Sequence, residues 1–331
     1  MPDEVLRDLL REVVGSNNFR LQRVPNGQTT ETYRIYTGNP ERILAYLRIN
    51  NVRKNRREVA LLHALTEQGR RVPQLLKAGS VEVDNVQRHY SVICPIEGKE
   101  LDKANLSRKA MKRALEEIGR EVARIHFTAI PLNCGLSTTD WEDMIERSDS
   151  TESLYARLDT MLRNHEMSDR QFNELWNLDM FVDDIVFHYQ TKRCNGDLVV
   201  VHRDIKPEHC MVDHTGKLLG IIDWGAAGTG LAGQDFAPWS IRYADPFDLS
   251  VIFNAYCDER GNLDSAFSRE ECVQEFMTYL PVELFKEIFR HVSHGKTGLA
   301  NAMACKQRLR ELRGNSQSTS ASQLTHQVLS L

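Results

Sequence analysis

The sequence lacks a membrane-length apolar run, a basic excess and a paired cysteine framework, and each absence removes a class of function. No apolar run approaches the roughly 20 residues a helix needs to cross a bilayer, so no membrane partner is expected. Lys and Arg number 42 against 46 Asp and Glu, a formal net charge of -4. A chain without a basic surplus has no electrostatic footprint for nucleic acid. Seven cysteines, an odd count without paired spacing, argue against a disulfide scaffold and for a reducing compartment, the cytoplasm. Met1-Pro2-Asp3-Glu4 is acidic and leads into no apolar core, so no secretory signal is expected. Internal repeats are absent as well. What is there is 331 residues, 41% hydrophobic and 27% charged, enough for one large or two modest globular domains.

The most informative stretch is Val199 to Ala237. Leu198 to Val201 is an apolar, β-branched run and predicts a buried strand. His202 to Pro207 interrupts it with a polar loop. Cys210 to Val212 and Leu218 to Ile222 predict two short strands around Asp213-His214-Thr215-Gly216, a hairpin turn by composition. Two carboxylates thereby fall on loops at neighbouring strand ends, Asp204 before the hairpin and Asp223 after it. Phosphoryl transfer asks for such a pair: one acid orients a hydroxyl and accepts its proton, another holds magnesium on nucleotide phosphates. Asp204 suits the first task and Asp223 the second. The plainer alternative is a solvated hairpin with two turn aspartates. Against it, the strands, both acids and a closing Gln234-Asp235-Phe236-Ala237 loop arrive together at workable spacing.

The string resembles the aminoglycoside phosphotransferase-like kinases, the antibiotic and small-metabolite branch of the protein-kinase fold. Their pattern is His-Gly-Asp, four variable residues, Asn, then Ile-Asp-Trp/Phe and Asp-Leu-Ala. This chain has His202-Arg203-Asp204, His209, Ile222-Asp223-Trp224 and Asp235-Phe236-Ala237. It departs at Arg203 and Lys206, which make His-Arg-Asp-Ile-Lys-Pro-Glu resemble a protein kinase, and at His209, where Asn is usual. The resemblance implies an α+β, protein-kinase-like two-lobe fold. A nucleotide-binding lobe with a small sheet would occupy residues 1–95 and a mostly helical catalytic and acceptor-binding lobe residues 96–313. The Ser/Gln/Thr-rich tail, 314–331, is expected to be disordered.

The same resemblance implies roles. Asp204 is the base, and Asp235 braces its loop through backbone hydrogen bonds. His209 and Asp223 hold magnesium or manganese. Arg48, on a strand over Ile43 to Ile49, pairs with Glu58 to clamp the phosphates of ATP or GTP. Lys206 neutralises charge on the moving phosphoryl group. A polar hairpin, Pro25-Asn26-Gly27-Gln28-Thr29-Thr30, offers Gly27 and Thr29 to the phosphates, or is merely a turn. At Cys94-Pro95-Ile96 the Cys94 carbonyl and the Ile96 N–H would hydrogen-bond the base, with Ile93 behind it.

Elsewhere the spacing predicts helices over Val5 to Val14, Glu58 to Leu65, Leu106 to Thr128, Leu175 to Tyr189, Arg269 to Val292 and Gly298 to Leu312. Asn51 to Arg57 reads as a basic loop and helix start. His126 is read as structural. Trp239, Tyr243, Asp245, Asp248, Tyr256, Asp258 and Glu259 either line an acceptor site or serve as caps and core. The expected activity is transfer of a γ-phosphate to a hydroxyl of a small acceptor, an aminoglycoside-like antibiotic or a metabolite such as choline, homoserine or a sugar. A protein kinase is disfavoured by the missing Gly-x-Gly-x-x-Gly loop and the missing Ala-Pro-Glu after Asp223. A non-catalytic kinase-fold module has only His209 in its favour, since both acids survive.

Overall fold

The computed structural model describes residues 3–15, 18–25, 31–38, 42–50, 52–83, 86–129, 198–243, 247–292 and 307. Gly27, Thr29, the helix expected over Leu175 to Tyr189, Asp245 and the helix expected over Gly298 to Leu312 lie outside them, apart from residue 307. The chain divides into two compact units that interleave along the sequence. The first draws on Met1–Ala114, Thr128–Met144 and Pro207–Ala227, and the second on Leu115–Phe127, Ile145–Lys206 and Gly228–Leu331.

The first unit is built on an antiparallel five-stranded sheet of order β1-β2-β3-β5-β4. Its strands are β1 (Arg20–Arg23), β2 (Glu31–Thr37), β3 (Arg42–Asn50), β4 (Leu75–Val83) and β5 (Val86–Ile93). Leu9, Leu10 and Val13 of helix α1 (Asp3–Val14) pack into one apolar cluster with Phe19, Ile35, Ala45, Leu47, Ile49, Tyr90 and Val92. Because side chains alternate along a strand, placing Ala45, Leu47 and Ile49 in this cluster turns Arg48 and Asn50 to the other face. Helix α2 (Val52–Glu67) contacts β3, β4 and β5 and buries Ala60, Leu61, Leu62, Ala64 and Leu65. It begins at Val52, so nearly all of the stretch expected as a loop and helix start is already helix. Asn55 and Glu58 are both buried, so the basic stretch has an inward edge at i, i+3 spacing that its net charge conceals.

A second, three-stranded sheet joins β6 (Lys99–Glu100), β8 (Cys210–Val212) and β9 (Leu218–Ile221) in the order β6-β8-β9. The β8–β9 hairpin is the one the sequence predicts. Its turn is closed by Asp213, whose Oδ1 accepts from the Thr215 N–H at 2.8 Å, the Thr215 hydroxyl at 2.7 Å and the Lys217 N–H at 3.0 Å. Those bonds hold its carboxyl down at about 2. Gly216 completes the turn with φ +78, and a Cβ there would lie 2.0 Å from the Ala110 carbonyl of helix α3 (Arg108–His126). Main chain ties the hairpin to the loop after α2, since the Ile221 N–H donates to the Arg71 carbonyl at 2.9 Å.

In the second unit β7 (Val199–Val201) pairs antiparallel with β10 (Gly228–Gly230). Helices α4 (Gly233–Arg242), α5 (Leu249–Leu263) and α6 (Arg269–Val292) complete the described part. The Gln234-Asp235-Phe236-Ala237 segment, expected as a loop, is the first turn of α4. Gly233 and Pro238 suggest broken structure locally, but tertiary packing overrides propensity. A Cβ on Gly233 would lie 2.7 Å from the Phe276 Cα, so α4 starts in near-backbone contact with α6. Phe236, Phe253, Tyr256 and Phe276 interlock as edge-on and tilted ring pairs in the core.

The segment after Ala237 is largely structural rather than an acceptor lining. Trp239 is buried with its Nε1 donating to the Phe247 carbonyl at 2.8 Å. Tyr256 is buried in the core. Asp248 caps α5, accepting from the Ser250 N–H at 2.7 Å, and Glu259 is paired with Arg124 at 2.8 Å. Capping and burial use these residue types for the same reasons a polar ligand would, so composition alone does not separate the two.

Candidate active site

In the first unit the strand arginine reaches Glu58, the neighbour expected of it, and also Asp223. Arg48 Nη1 lies 2.7 Å from Glu58 Oε1 and Nη2 lies 3.0 Å from Asp223 Oδ1. The planar guanidinium makes this possible, because its separate nitrogens serve two carboxylates at once. The Glu58 side chain is 1% exposed and that of Asp223 50%, so the group is anchored inside at Glu58 and reaches the surface at Asp223. Asn50, two residues along β3 on the same face, donates to Glu58 Oε2 at 3.2 Å. Arg57, adjacent to Glu58 on α2, donates to the Gly225 carbonyl at 3.1 Å. Two consecutive helical residues thus hold the loop that carries Asp223, one through Arg48 and one directly. Asn50 was not singled out from the sequence, and Arg57 was read only as part of the basic stretch; the signal for each is its spacing from Arg48 and Glu58.

Asp223 sits between β9 and a short 3-10 turn (Trp224–Ala226) with φ +65. Aspartate tolerates that left-handed conformation better than most residues. Trp224 is buried and its Nε1 donates to the Ile221 carbonyl at 2.8 Å, which fixes the turn. His209 ends the 3-10 turn Pro207–His209, and its carbonyl accepts from the Ile222 N–H at 2.9 Å. Its Nε2 lies 3.5 Å from Asp223 Oδ2. An imidazole nitrogen and a carboxylate oxygen at that separation suit neighbouring ligands of one divalent ion, so the donor set fits the metal role. At Cys94, half-buried, the N–H is engaged by the Gln74 carbonyl at 2.8 Å. Among the described residues the Cys94 carbonyl and the Ile96 N–H take no backbone partner, as hydrogen-bonding to a ligand would require.

In the second unit the loop after β7 is organised by Asp235. Its fully buried carboxylate accepts from the His202 N–H at 2.9 Å through Oδ2 and from the Arg203 N–H at 2.6 Å through Oδ1. His126 Nε2 lies 3.0 Å from Oδ2, and His126 Nδ1 lies 3.0 Å from the Tyr256 hydroxyl. Burial pushes the Asp235 carboxyl up, but the bond and charge of His126 and the groups of His202 outweigh it and hold it below the usual range. Burial drives the Tyr256 phenol well above its ordinary value, so the hydroxyl beside Nδ1 keeps its proton. His126 is structural, as read from the sequence.

Arg203 adopts φ +67, the left-handed conformation that glycine enters freely. Its N–H bond to Asp235 and a guanidinium bond from Nη2 to the Thr229 carbonyl, 2.8 Å, hold it there. Asp204 follows, its N–H donating to His202 Nδ1 at 3.3 Å. Lys206 Nζ lies 2.9 Å from Asp204 Oδ2. Lys206 therefore rests on the acid two residues before it. Arg242, which no motif marked, lies on α4 with Nη1 4.0 Å from Asp204 Oδ1.

The profile of the phosphotransferase enzyme family matches residues 20–268. An uncharacterized protein of Bacillus subtilis (strain 168), YcbJ, is 25% identical over 87 residues, which are 26% of this chain. The chain thus spans 28% of the length of that curated relative. Among solved structures, the gentamicin complex of APH(2″)-IIa is 14% identical at a TM-score of 0.60, covering 97% of this chain and 97% of that one. A spectinomycin phosphotransferase, APH(9)-Ia, in complex with ADP and spectinomycin, is 12% identical at a TM-score of 0.58, covering 100% and 99%. The GDP complex of aminoglycoside 2′-phosphotransferase IIIa is 11% identical at 0.57, covering 95% and 99%. These likenesses bear out the α+β, kinase-like fold class expected from the sequence.

Proposed function

The chain belongs to the phosphotransferase enzyme family, and from that premise we propose that it transfers the γ-phosphoryl group of ATP or GTP to a hydroxyl of a small molecule, an aminoglycoside-like antibiotic or a metabolite. The observation that carries this reading is the Arg48 guanidinium bridging buried Glu58 and half-exposed Asp223. A fixed cation suited to phosphate oxygens beside a carboxylate suited to a metal supports phosphoryl transfer. Structural neighbours that hold ADP or GDP, and gentamicin or spectinomycin, support the same choice of co-substrate and acceptor class.

Asp204 accepts the acceptor's hydroxyl proton, held on its loop by the Asp235 bonds to His202 and Arg203. The acceptor oxygen forms the new P–O bond, the bond from the γ-phosphorus to the β–γ bridging oxygen breaks, and a nucleoside diphosphate leaves. Arg48 binds phosphate oxygens, and Glu58 keeps it from swinging away. His209 and Asp223 hold a divalent ion, which when bound neutralises the phosphate charge. Cys94 and Ile96 hold the nucleotide base through main-chain groups. Lys206 stands next to the reacting oxygens, where its charge favours the phosphoryl group in flight.

The test is a transfer screen with ATP and GTP, with and without divalent ion, across hydroxylated antibiotics and hydroxylated metabolites. Transfer to one acceptor class, dependent on the ion and reduced by orders of magnitude in Asp204→Asn with nucleotide affinity nearly kept, is the expected result. Phosphorylation of general protein substrates alone, or near-normal turnover in Asp204→Asn, would overturn it.

A further inference from the structure

We propose that Arg242 is a positioning residue for the Asp204 carboxylate, held to that task by Glu283 and Glu287; the inference rests on Asp204 being the base.

The three groups come together through helix packing. Arg242 lies in the last turn of α4. Glu283 and Glu287 lie four residues apart on α6, which puts them on one face. Arg242 Nη2 pairs with Glu283 Oε1 and Nε pairs with Glu287 Oε1. With two nitrogens committed to α6, the third, Nη1, faces Asp204 Oδ1 at 4.0 Å. That gap exceeds hydrogen-bond length, so it is a contact of charge. On the other side Lys206 Nζ holds Oδ2 at 2.9 Å. The base is therefore set between two cations, one in contact and one offset. The two cations together orient the carboxylate.

A merely structural cluster is a poor account of this arrangement. The Glu283 and Glu287 side chains are only 6% and 3% exposed, and taking charges out of water costs several kcal/mol each before pairing repays it. Because the two glutamates take different nitrogens of Arg242, they fix the rotation of the guanidinium plane, and with it the direction in which Nη1 faces Asp204. A lysine at 242 would be a point charge and could not serve three partners in fixed directions.

Positioning differs from structural support in how its loss combines with loss of the base. Arg242→Lys and Glu287→Gln are each made in the native protein and in Asp204→Asn, and turnover and nucleotide KM are measured with the best acceptor, or with water. Arg242→Lys is expected to lower kcat by about 10-fold or more with nucleotide KM within about 2-fold, since a misplacement of about 1 Å is worth factors of that order. Glu287→Gln, which keeps Arg242 and Glu283, is expected to lower kcat by about 3-fold. In Asp204→Asn both substitutions should be nearly silent, because groups acting through one another are not additive. Equal losses in the two backgrounds, or a fall in thermal stability with unchanged kcat per folded molecule, would overturn the inference. If Arg242→Lys fails to fold, the same coupling measured with Glu287→Gln decides it. Transfer that is lost in Asp204→Asn but untouched in both other variants sinks this inference alone. A native protein inert toward every acceptor and water sinks it together with the proposed function.

Discussion

Replacing Asp235 by asparagine should cost stability in a way whose size and pH dependence follow from its three partners. The carboxylate accepts from the His202 N–H, the Arg203 N–H and His126 Nε2 in a fully buried site. Asparagine retains one oxygen, which can keep the Arg203 bond. Its amide NH2 then faces His202 N–H and His126. The imidazole can change tautomer and accept, but the His202 N–H has no such freedom. One orphaned buried donor costs about 1–3 kcal/mol, and trading an ionised acceptor for a neutral one on Arg203 costs about 1 more. The sum is about 3 kcal/mol at neutral pH. Because the folded-state carboxyl is held below the usual range, its stabilising contribution is fully present above the unfolded value near pH 4 and is lost as pH falls through the lower folded value. Asparagine has no such titration. Urea denaturation of both proteins from pH 7 to pH 3 should therefore show a gap of about 3 kcal/mol that narrows below about pH 4. A gap under about 1 kcal/mol at pH 7, or one that stays constant to pH 3, would refute the reasoning.

His209→Asn should raise activity with magnesium relative to manganese, because an amide oxygen suits the harder ion and imidazole the softer; identical metal preference in both forms would leave His209 as a structural residue. Gly233→Ala should destabilise by about 1–3 kcal/mol through overpacking where the added Cβ meets the Phe276 Cα; an unchanged melting temperature would show that α4 can retreat from α6 freely. Arg203→Gly relieves a left-handed conformation worth about 1–2 kcal/mol but loses the Thr229 bond, about 1.5–3 kcal/mol, and gains unfolded-state entropy. A net loss near 1 kcal/mol is expected by thermal or urea melts, and a net gain would mean that the guanidinium bond contributes nothing.

Legibility in the sequence followed the range of the interactions involved. β7, the β8–β9 hairpin and the loops carrying Asp204 and Asp223 are written locally, in β-branched runs and in Asp and Gly at turn positions, and they appear where expected. Asp235 was read correctly as a brace, yet its segment was read as a loop, since Gly233 and Pro238 are breakers in isolation and only the contact with α6 makes them helical. β6 and β10 were missed because two or three residues have no period to detect. The start of α2 was hidden by charge, although Asn55 and Glu58 face inward. Arg242 was illegible for a different reason. Its partners are Glu283 and Glu287, and no local pattern links residues that far apart. The aromatic and acidic residues after Ala237 show the converse, since their chemistry serves a ring cluster or a helix cap as readily as a ligand.

The Asp235 bonds also decide what sets the hydrogen–deuterium exchange of the loop beside the base. The amides of His202 and Arg203 are bonded to a side chain 33 and 32 residues further along the chain. Fraying of the short β7–β10 ladder does not by itself release them. Exchange at these two amides requires the start of α4 to lift its carboxylate out of the loop, and the same event breaks the link to His126 and Tyr256. Their exchange rates therefore measure how often α4 opens, and should match each other and the amides of the first turn of α4 rather than those of Val200 and Val201.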